Sequence, residues 1–171
     1  YSATITDGER INEFVDRAVK IATNGYPGAV HLSLPVDIMF SHFAEDAGRE
    51  ERPFDLGMQQ PARAWPEPAR LQQLLQKLNN AKRPVLIGGH GVWWAKAEAK
   101  LEEAGRLLGI PVFNIPYHQK LLGEECEAYM GLADIHQYHP SADAFRDADL
   151  VLMIGGRLDN QMNFGNPPLF P

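Results

Sequence analysis

The chain has 171 residues, a length that suits one domain or one domain plus part of another. Hydrophobic residues make up 44% and charged residues 22%, and the 16 Lys and Arg are scattered under a formal net charge of −6, so there is material for a core and no basic run to attract nucleic acid. No apolar stretch reaches the roughly 18 residues of a membrane span, no signal-peptide pattern opens the chain, and the single Cys126 has neither a disulfide nor a metal partner, which makes a reducing cytoplasm the expected compartment.

The chain opens without Met, close to a helix, as a piece of a longer polypeptide would. Residues 6–24 read as that helix, with Thr6 as N-cap, Glu9 completing a capping box, and Ile11, Phe14, Val15 and Ala18 at the spacing of a buried stripe. Asn24-Gly25 and Pro27-Gly28 end it, and Ala29 to Leu34 reads as a short strand stopped by Pro35. One helix and one strand without partners cannot bury a core. Residues 1–39 are therefore expected to be the tail of a preceding domain.

Residues 40–64 are polar and acidic and read as a linker, with Phe54, Met58 and Trp65 available to hold it against the body. A second domain is expected over 65–171. Pro66 suits a helix start, and Leu71, Leu74, Leu75 and Leu78 form a stripe before Asn79-Asn80. Pro84 to Ile87 is a buried strand, Gly88-Gly89-His90-Gly91 a tight turn, and Val92 to Leu108 a helix closed by Gly109. Pro111 to Ile115 is the next strand, 116–135 a long loop, 137–147 a helix with Phe145 inward, and Leu150 to Ile154 the most hydrophobic strand, followed at once by Gly155-Gly156-Arg157.

Strands without polar alternation are buried on both faces, and intervening helices supply right-handed crossovers. The expected fold is therefore α/β, a doubly wound parallel sheet of Rossmann-like type. Such a sheet commonly continues by another strand, which leaves room for truncation after Pro171.

Two turns carry the chemistry. Gly88 to Gly91 lies between a buried strand and a helix, where backbone amides can meet a phosphate; a plain tight turn is the alternative. In Gly155-Gly156-Arg157-Leu158-Asp159, Arg157 offers a planar fork for phosphate or carboxylate, and Asp159 either accepts from a ribose hydroxyl or pairs with Arg157. His136 and His139 stand three apart near Asp134, but no third ligand has convincing spacing and Pro140 disturbs the local helix, so no metal site is expected. Of Trp93 and Trp94, one is expected in the core and the other over a groove or interface, with packing favoured over cofactor stacking. No Ser/His/Asp set, carboxylate pair or Cys/His dyad stands at a strand end, so the segment reads as scaffold and binding module, without catalytic residues.

Three segments resemble thiamine-diphosphate-dependent enzymes of the acetolactate synthase group. Gly25-Tyr-Pro-Gly28-Ala-Val-His31-Leu-Ser-Leu-Pro35-Val-Asp37 is similar to the close of their pyrimidine-binding domain, with Ala29 in place of the usual second proline. Ala81-Lys-Arg-Pro84-Val-Leu-Ile-Gly88-Gly89-His-Gly91 resembles the entry to their central domain, and Ala148-Asp149-Leu-Val-Leu-Met-Ile-Gly155-Gly156-Arg157-Leu-Asp159 their AD-hydrophobic-GxR segment.

The resemblance implies a three-domain parent that decarboxylates or cleaves 2-oxo acids or 2-hydroxyacyl compounds. Its thiamine diphosphate and Mg²⁺ would be held by the flanking domains, so this segment alone is expected to be inactive. A homodimeric or homotetrameric parent is implied. The central domain would hold FAD, as in the synthases, with ADP or part of CoA as the alternative found in relatives resembling oxalyl-CoA decarboxylase. A stand-alone nucleotide-binding module or a purely structural domain are the rival readings. By position, the implied contacts are Gly89, His90 and Gly91; Pro116 after the third strand; Gly131, Leu132 and His136; and Gly155, Gly156, Arg157 and Asp159. The segment departs from the family where His90 replaces a small residue, and where Gly123 lacks a preceding Gly-Lys pair.

Overall fold

The computed structural model describes residues 1–42, 64–116, 121–134, 140–167 and 170. The chain divides into two compact units, Tyr1–Trp65 and Pro66–Pro171.

In the first unit, β1 (Ser2–Thr4) lies parallel to β2 (His31–Ser33), and α1 (Ile11–Thr23) connects them. The β2 segment thus has a partner that the sequence reading missed. Ser-Ala-Thr is too short and too polar to announce a strand, yet its ladder with His31, Leu32 and Ser33 is in register. The helix start also differs from expectation. Asp7, not Thr6, is the cap: its carboxylate accepts the Glu9 N–H at 3.0 Å and opens a 3-10 turn over Gly8–Arg10, after which the α-helix runs. Ile5 and Ala18 are buried, whereas Val19, Ile21, Leu34, Val36 and Phe40 are exposed. A short helix, α2 (Val36–Met39), follows Pro35. The expected linker falls largely on 43–63, with Phe54 and Met58, outside the described residues; Trp65 is 87% exposed.

The second unit contains α3 (Pro68–Asn80), β3 (Pro84–Gly88), α4 (His90–Trp94), α5 (Glu98–Leu108), β4 (Val112–Asn114), β5 (Tyr129–Leu132), α6 (Pro140–Asp147) and β6 (Leu150–Ile154). Among the described residues these strands form one parallel sheet in the order β5-β4-β3-β6. The order grows from β3 through β4 to β5 and then returns to the other side of β3, so the winding reverses between β3 and β6. Two apolar layers cover the sheet. On one face Val85, Ile87, Phe113 and Ile115 pack with Phe145 of α6; on the other Leu86 and Val112 pack with Val92 of α4 and Leu101 of α5. Alternate residues of each strand serve opposite faces, as the pleat requires. This is the doubly wound sheet expected from the unbroken apolar runs.

Four details differ from the sequence reading. The helix expected from Val92 to Leu108 is two helices, because Lys96 sits in the left-handed region at φ 51. The Lys96 N–H donates to Trp93 O and the Ala97 N–H to Val92 O, the hydrogen-bond pattern of a Schellman stop. The loop expected over 116–135 contains β5, disguised by Gly131 at φ 109. Pro140 falls within α6, whose described residues run unbroken to Asp147, where a disturbed helix was expected. Finally, the leucine stripe of α3 is not buried: Leu71 is 42% and Leu75 48% exposed, and Leu78 packs at the margin of the core.

Candidate functional site at the sheet's reversal point

In an open parallel sheet, ligands bind outside the carboxyl ends of the strands where the winding reverses. Here that place lies between the ends of β3 and β6, and the two glycine turns flank it. They touch. The Gly89 N–H donates to Ile154 O at 2.8 Å and the Gly91 N–H to Gly155 O at 2.7 Å. A Cβ on Gly89 would stand 2.4 Å from the Gly156 Cα, and one on Gly91 2.8 Å from the Gly155 Cα. Gly155, at φ 66, would place its own Cβ 2.6 Å from the Val92 nitrogen. The glycines are therefore required by the approach of one turn to the other. The two amides expected to face a phosphate are engaged by the end of β6.

The other expected contacts fall along the same edge. Pro116 is buried just beyond β4, and the Ile115 N–H donates to Gly88 O at 3.0 Å, tying β4 to β3. Gly131 and Leu132 lie in β5; a Cβ on Gly131 would meet nothing within 4 Å among the described residues, and Leu132 is 38% exposed. Arg157 is exposed directly after the β6 turn. Asp159 uses Oδ1 to accept the Gln161 N–H at 3.0 Å, capping a 3-10 segment over Asn160–Gly165; that carboxylate oxygen has a structural task beyond the two roles expected for it. His136 lies outside the described residues. Parallel strand direction thus brings Gly89, His90, Gly91, Pro116, Gly131, Leu132, Gly155, Gly156 and Arg157 to one edge of the sheet. For a nucleotide, the edge offers open backbone at Gly131 and an exposed guanidinium, while the Gly89 and Gly91 amides do not fit as phosphate donors.

Two features of this edge escaped the sequence reading. Asn114, at the end of β4, is buried; its Nδ2 donates to Leu122 O at 3.2 Å and its Oδ1 accepts no hydrogen bond among the described residues. Burial raises the Tyr129 phenol above its ordinary value, against an opposing pull from the Asn114 amide. An Asn at the end of an apolar strand was the available signal. The second is aromatic. His90 stacks on Trp94 at 5.9 Å and 11° between planes, and Trp93 meets Trp94 edge-on at 5.0 Å. Trp93 packs against the core while Trp94 is 46% exposed. Among the described residues no group of His, Cys, Asp and Glu is placed to hold a metal ion.

At the amino ends of the same two strands, Asp149 accepts the Lys82 N–H at 2.7 Å and the Arg83 N–H at 2.9 Å. These bonds hold its carboxyl below the usual carboxylate range. The Arg83 side chain donates in turn to Asp147 O at 2.6 Å.

A doubly wound parallel sheet with glycine turns on both sides of its reversal point defines a Rossmann-like α/β domain. Residues 71–171 match the family described as thiamine pyrophosphate enzyme, central domain, and the chain belongs to that family. It is 28% identical over 166 residues to 2-hydroxyacyl-CoA lyase 1 of Dictyostelium discoideum, covering 97% of this chain and 27% of the relative. It is 25% identical over 165 residues to the acetolactate synthase large subunit of Cyanidium caldarium, covering 95% of this chain and 28% of the relative. The fold is shared with a protein from Mycobacterium smegmatis assigned as a thiamin diphosphate-dependent enzyme, at a TM-score of 0.69 and 22% identity, over 99% of this chain and 31% of that one. The chain thus spans under a third of the length of each of these proteins.

Proposed function

We propose that this chain is the central, nucleotide-holding part of a thiamine-diphosphate-dependent enzyme of the acetolactate synthase type, a decarboxylase or carboligase of 2-oxo acids. The observation that carries the reading is the reversal point between β3 and β6, with the expected contacts other than His136 and Asp159 lying along its edge. Residues 1–39 are then the closing part of the pyrimidine-binding domain, 40–64 a linker, and 65–171 the central domain. Thiamine diphosphate and Mg²⁺ would be held by other domains of a cytoplasmic homodimer or homotetramer, and this segment alone would not catalyse. Its own contribution is a scaffold and a site for FAD, or for ADP as such or within CoA. In that site Arg157 would pair with the diphosphate and Gly131 would admit the ligand close to β5.

A second reading, a lyase of 2-hydroxyacyl-CoA compounds, is supported by the similarity to the Dictyostelium and Arabidopsis thaliana 2-hydroxyacyl-CoA lyases, the latter 24% identical over 95% of this chain. Calorimetric titration with FAD, ADP and CoA separates the two. Saturable binding of FAD favours the synthase reading, and binding of ADP and CoA with rejection of FAD favours the lyase. Heat of dilution alone for all three would leave only the scaffold.

A further inference from the structure

An asparagine followed by a glycine is a chemically weak point wherever the backbone between them can turn, and this chain has a single such pair, Asn24-Gly25. It stands at the C-terminus of α1, in the connection that carries the chain to β2. Asn24 caps the helix twice. Its N–H donates to Lys20 O at 3.1 Å, and its side-chain Nδ2 donates to the same oxygen at 2.9 Å. The backbone then leaves the helix, with Asn24 at ψ 150 and Gly25 at φ 69. Gly25 is exposed, and apart from its chain neighbours a Cβ on it would meet nothing within 4 Å among the described residues. Its N–H donates no hydrogen bond among the described residues, and the chain is tied again at Gly28, whose N–H donates to Ala22 O at 3.1 Å. The Gly25 nitrogen is thus a nucleophile next to a carboxamide, with no side chain in its way and no hydrogen bond of its own to give up.

We infer that Asn24 is a site of spontaneous deamidation whose products loosen the end of α1. The Gly25 nitrogen attacks Asn24 Cγ. A bond forms between them, the bond from Cγ to Nδ2 breaks, and ammonia leaves with the proton that the Gly25 amide gives up. The result is a cyclic succinimide. Water, the only co-reactant, then opens either of its carbonyls. Opening at Cγ leaves Asp in the chain; opening at the Asn24 carbonyl carbon leaves an isoaspartyl link, with an extra carbon in the backbone. Nothing is oxidised or reduced. Both products lose the Nδ2 donor to Lys20 O and set a carboxylate at the negative end of the helix dipole, where a negative charge is disfavoured. The isoaspartyl link also lengthens the connection that brings β2 into register with β1.

The test is incubation of the whole chain at neutral and mildly alkaline pH, folded and in urea, followed by tryptic mapping with mass spectrometry. The peptide from Ile21 to Arg49 contains Asn24 and no other asparagine, so replacement of its NH2 by OH reports this residue alone. The folded chain is expected to convert to both Asp and isoaspartyl forms, faster at the higher pH, at a rate within ~10-fold of the unfolded chain, because one hydrogen bond, that of Nδ2, is all that holds the carboxamide back. A folded rate further below the unfolded one than that would overturn the site, since the fold would then protect it; so would an intact Asn24 in both. Asn24→Asp, which makes one product directly, is expected to speed deuterium exchange in the last turn of α1 by about 2-fold to about 5-fold, the effect of one charge near a helix end. Exchange equal to that of the parent chain would overturn the loosening of α1.

Discussion

The Gly91 amide donates to the carbonyl of Gly155 over 2.7 Å, and this bond joins two turns that lie 64 positions apart in the chain. The contact admits no side chain on either glycine. Gly91→Ala would push a methyl to 2.8 Å from the Gly155 Cα and 3.0 Å from its oxygen, against backbone that cannot swing aside. The expected cost is about 1–3 kcal/mol from forced overpacking, read as a lower urea midpoint at unchanged slope. Gly131→Ala meets open space but strains a backbone at φ 109, so it is expected to cost less than about 3 kcal/mol.

Asp149 gives a pH-dependent prediction. Its carboxyl is held below its ordinary value of 3.8 by the Lys82 and Arg83 amides. A carboxylate with a depressed folded pKa stabilises the native state above the unfolded pKa, and that stability is lost as pH falls through the folded one. Asp149→Asn should therefore melt below the parent chain from neutral pH down to the ordinary carboxylate range, and the gap should close in stronger acid. A gap that persists unchanged below the ordinary carboxylate pKa would show that charge is not what the amides select.

The legible parts of this fold were those whose signal is local. β3 and β6 are continuous apolar runs, and each is a strand where the run lies. Phe145 is inward because the helical period places it there, and it is fully buried. β1 and β5 were hidden for different reasons: Ser-Ala-Thr has no apolar anchor and gains its strand state from β2, while Gly131 breaks the β5 pattern at its centre. The glycine turns lie at the carboxyl ends of β3 and β6, where the sequence puts them, yet a glycine that approaches a ligand and one that approaches another turn look alike in sequence. Only the pairing of β3 with β6, a long-range fact, shows which neighbour the Gly89 and Gly91 amides meet.

The two left-handed stops around α5 should respond in opposite senses. Lys96 holds φ 51 without the freedom of glycine, whereas Gly109, at φ 62, has it. Lys96→Gly is expected to stabilise by up to about 1 kcal/mol, and Gly109→Ala to destabilise by about 1 kcal/mol. Paired thermal melts decide the signs; Lys96→Gly below the parent would mean that the lysine side chain contributes more than its backbone strain costs.

Phe145 joins the core on the α6 side, with ring centroids 4.8 Å from Phe113 and 5.8 Å from Phe170. Phe145→Ala removes a fully buried ring between two others and is expected to cost about 3–5 kcal/mol, measured by urea denaturation. Phe145→Leu should recover much of that loss, because it restores most of the volume.

The bonds at the two ends of β3 have a joint consequence. Asp149 closes β3 and β6 at their amino ends, and the Gly89 and Gly91 amides close them at the other, with a parallel ladder from Pro84 to Gly88 between. A strand pair sealed at both ends has no frayed terminus from which to unzip. Its amide protons, that of Ile87 foremost, should then exchange with deuterated solvent only when the whole domain opens, while α3, with its exposed leucines, gives up its protons first.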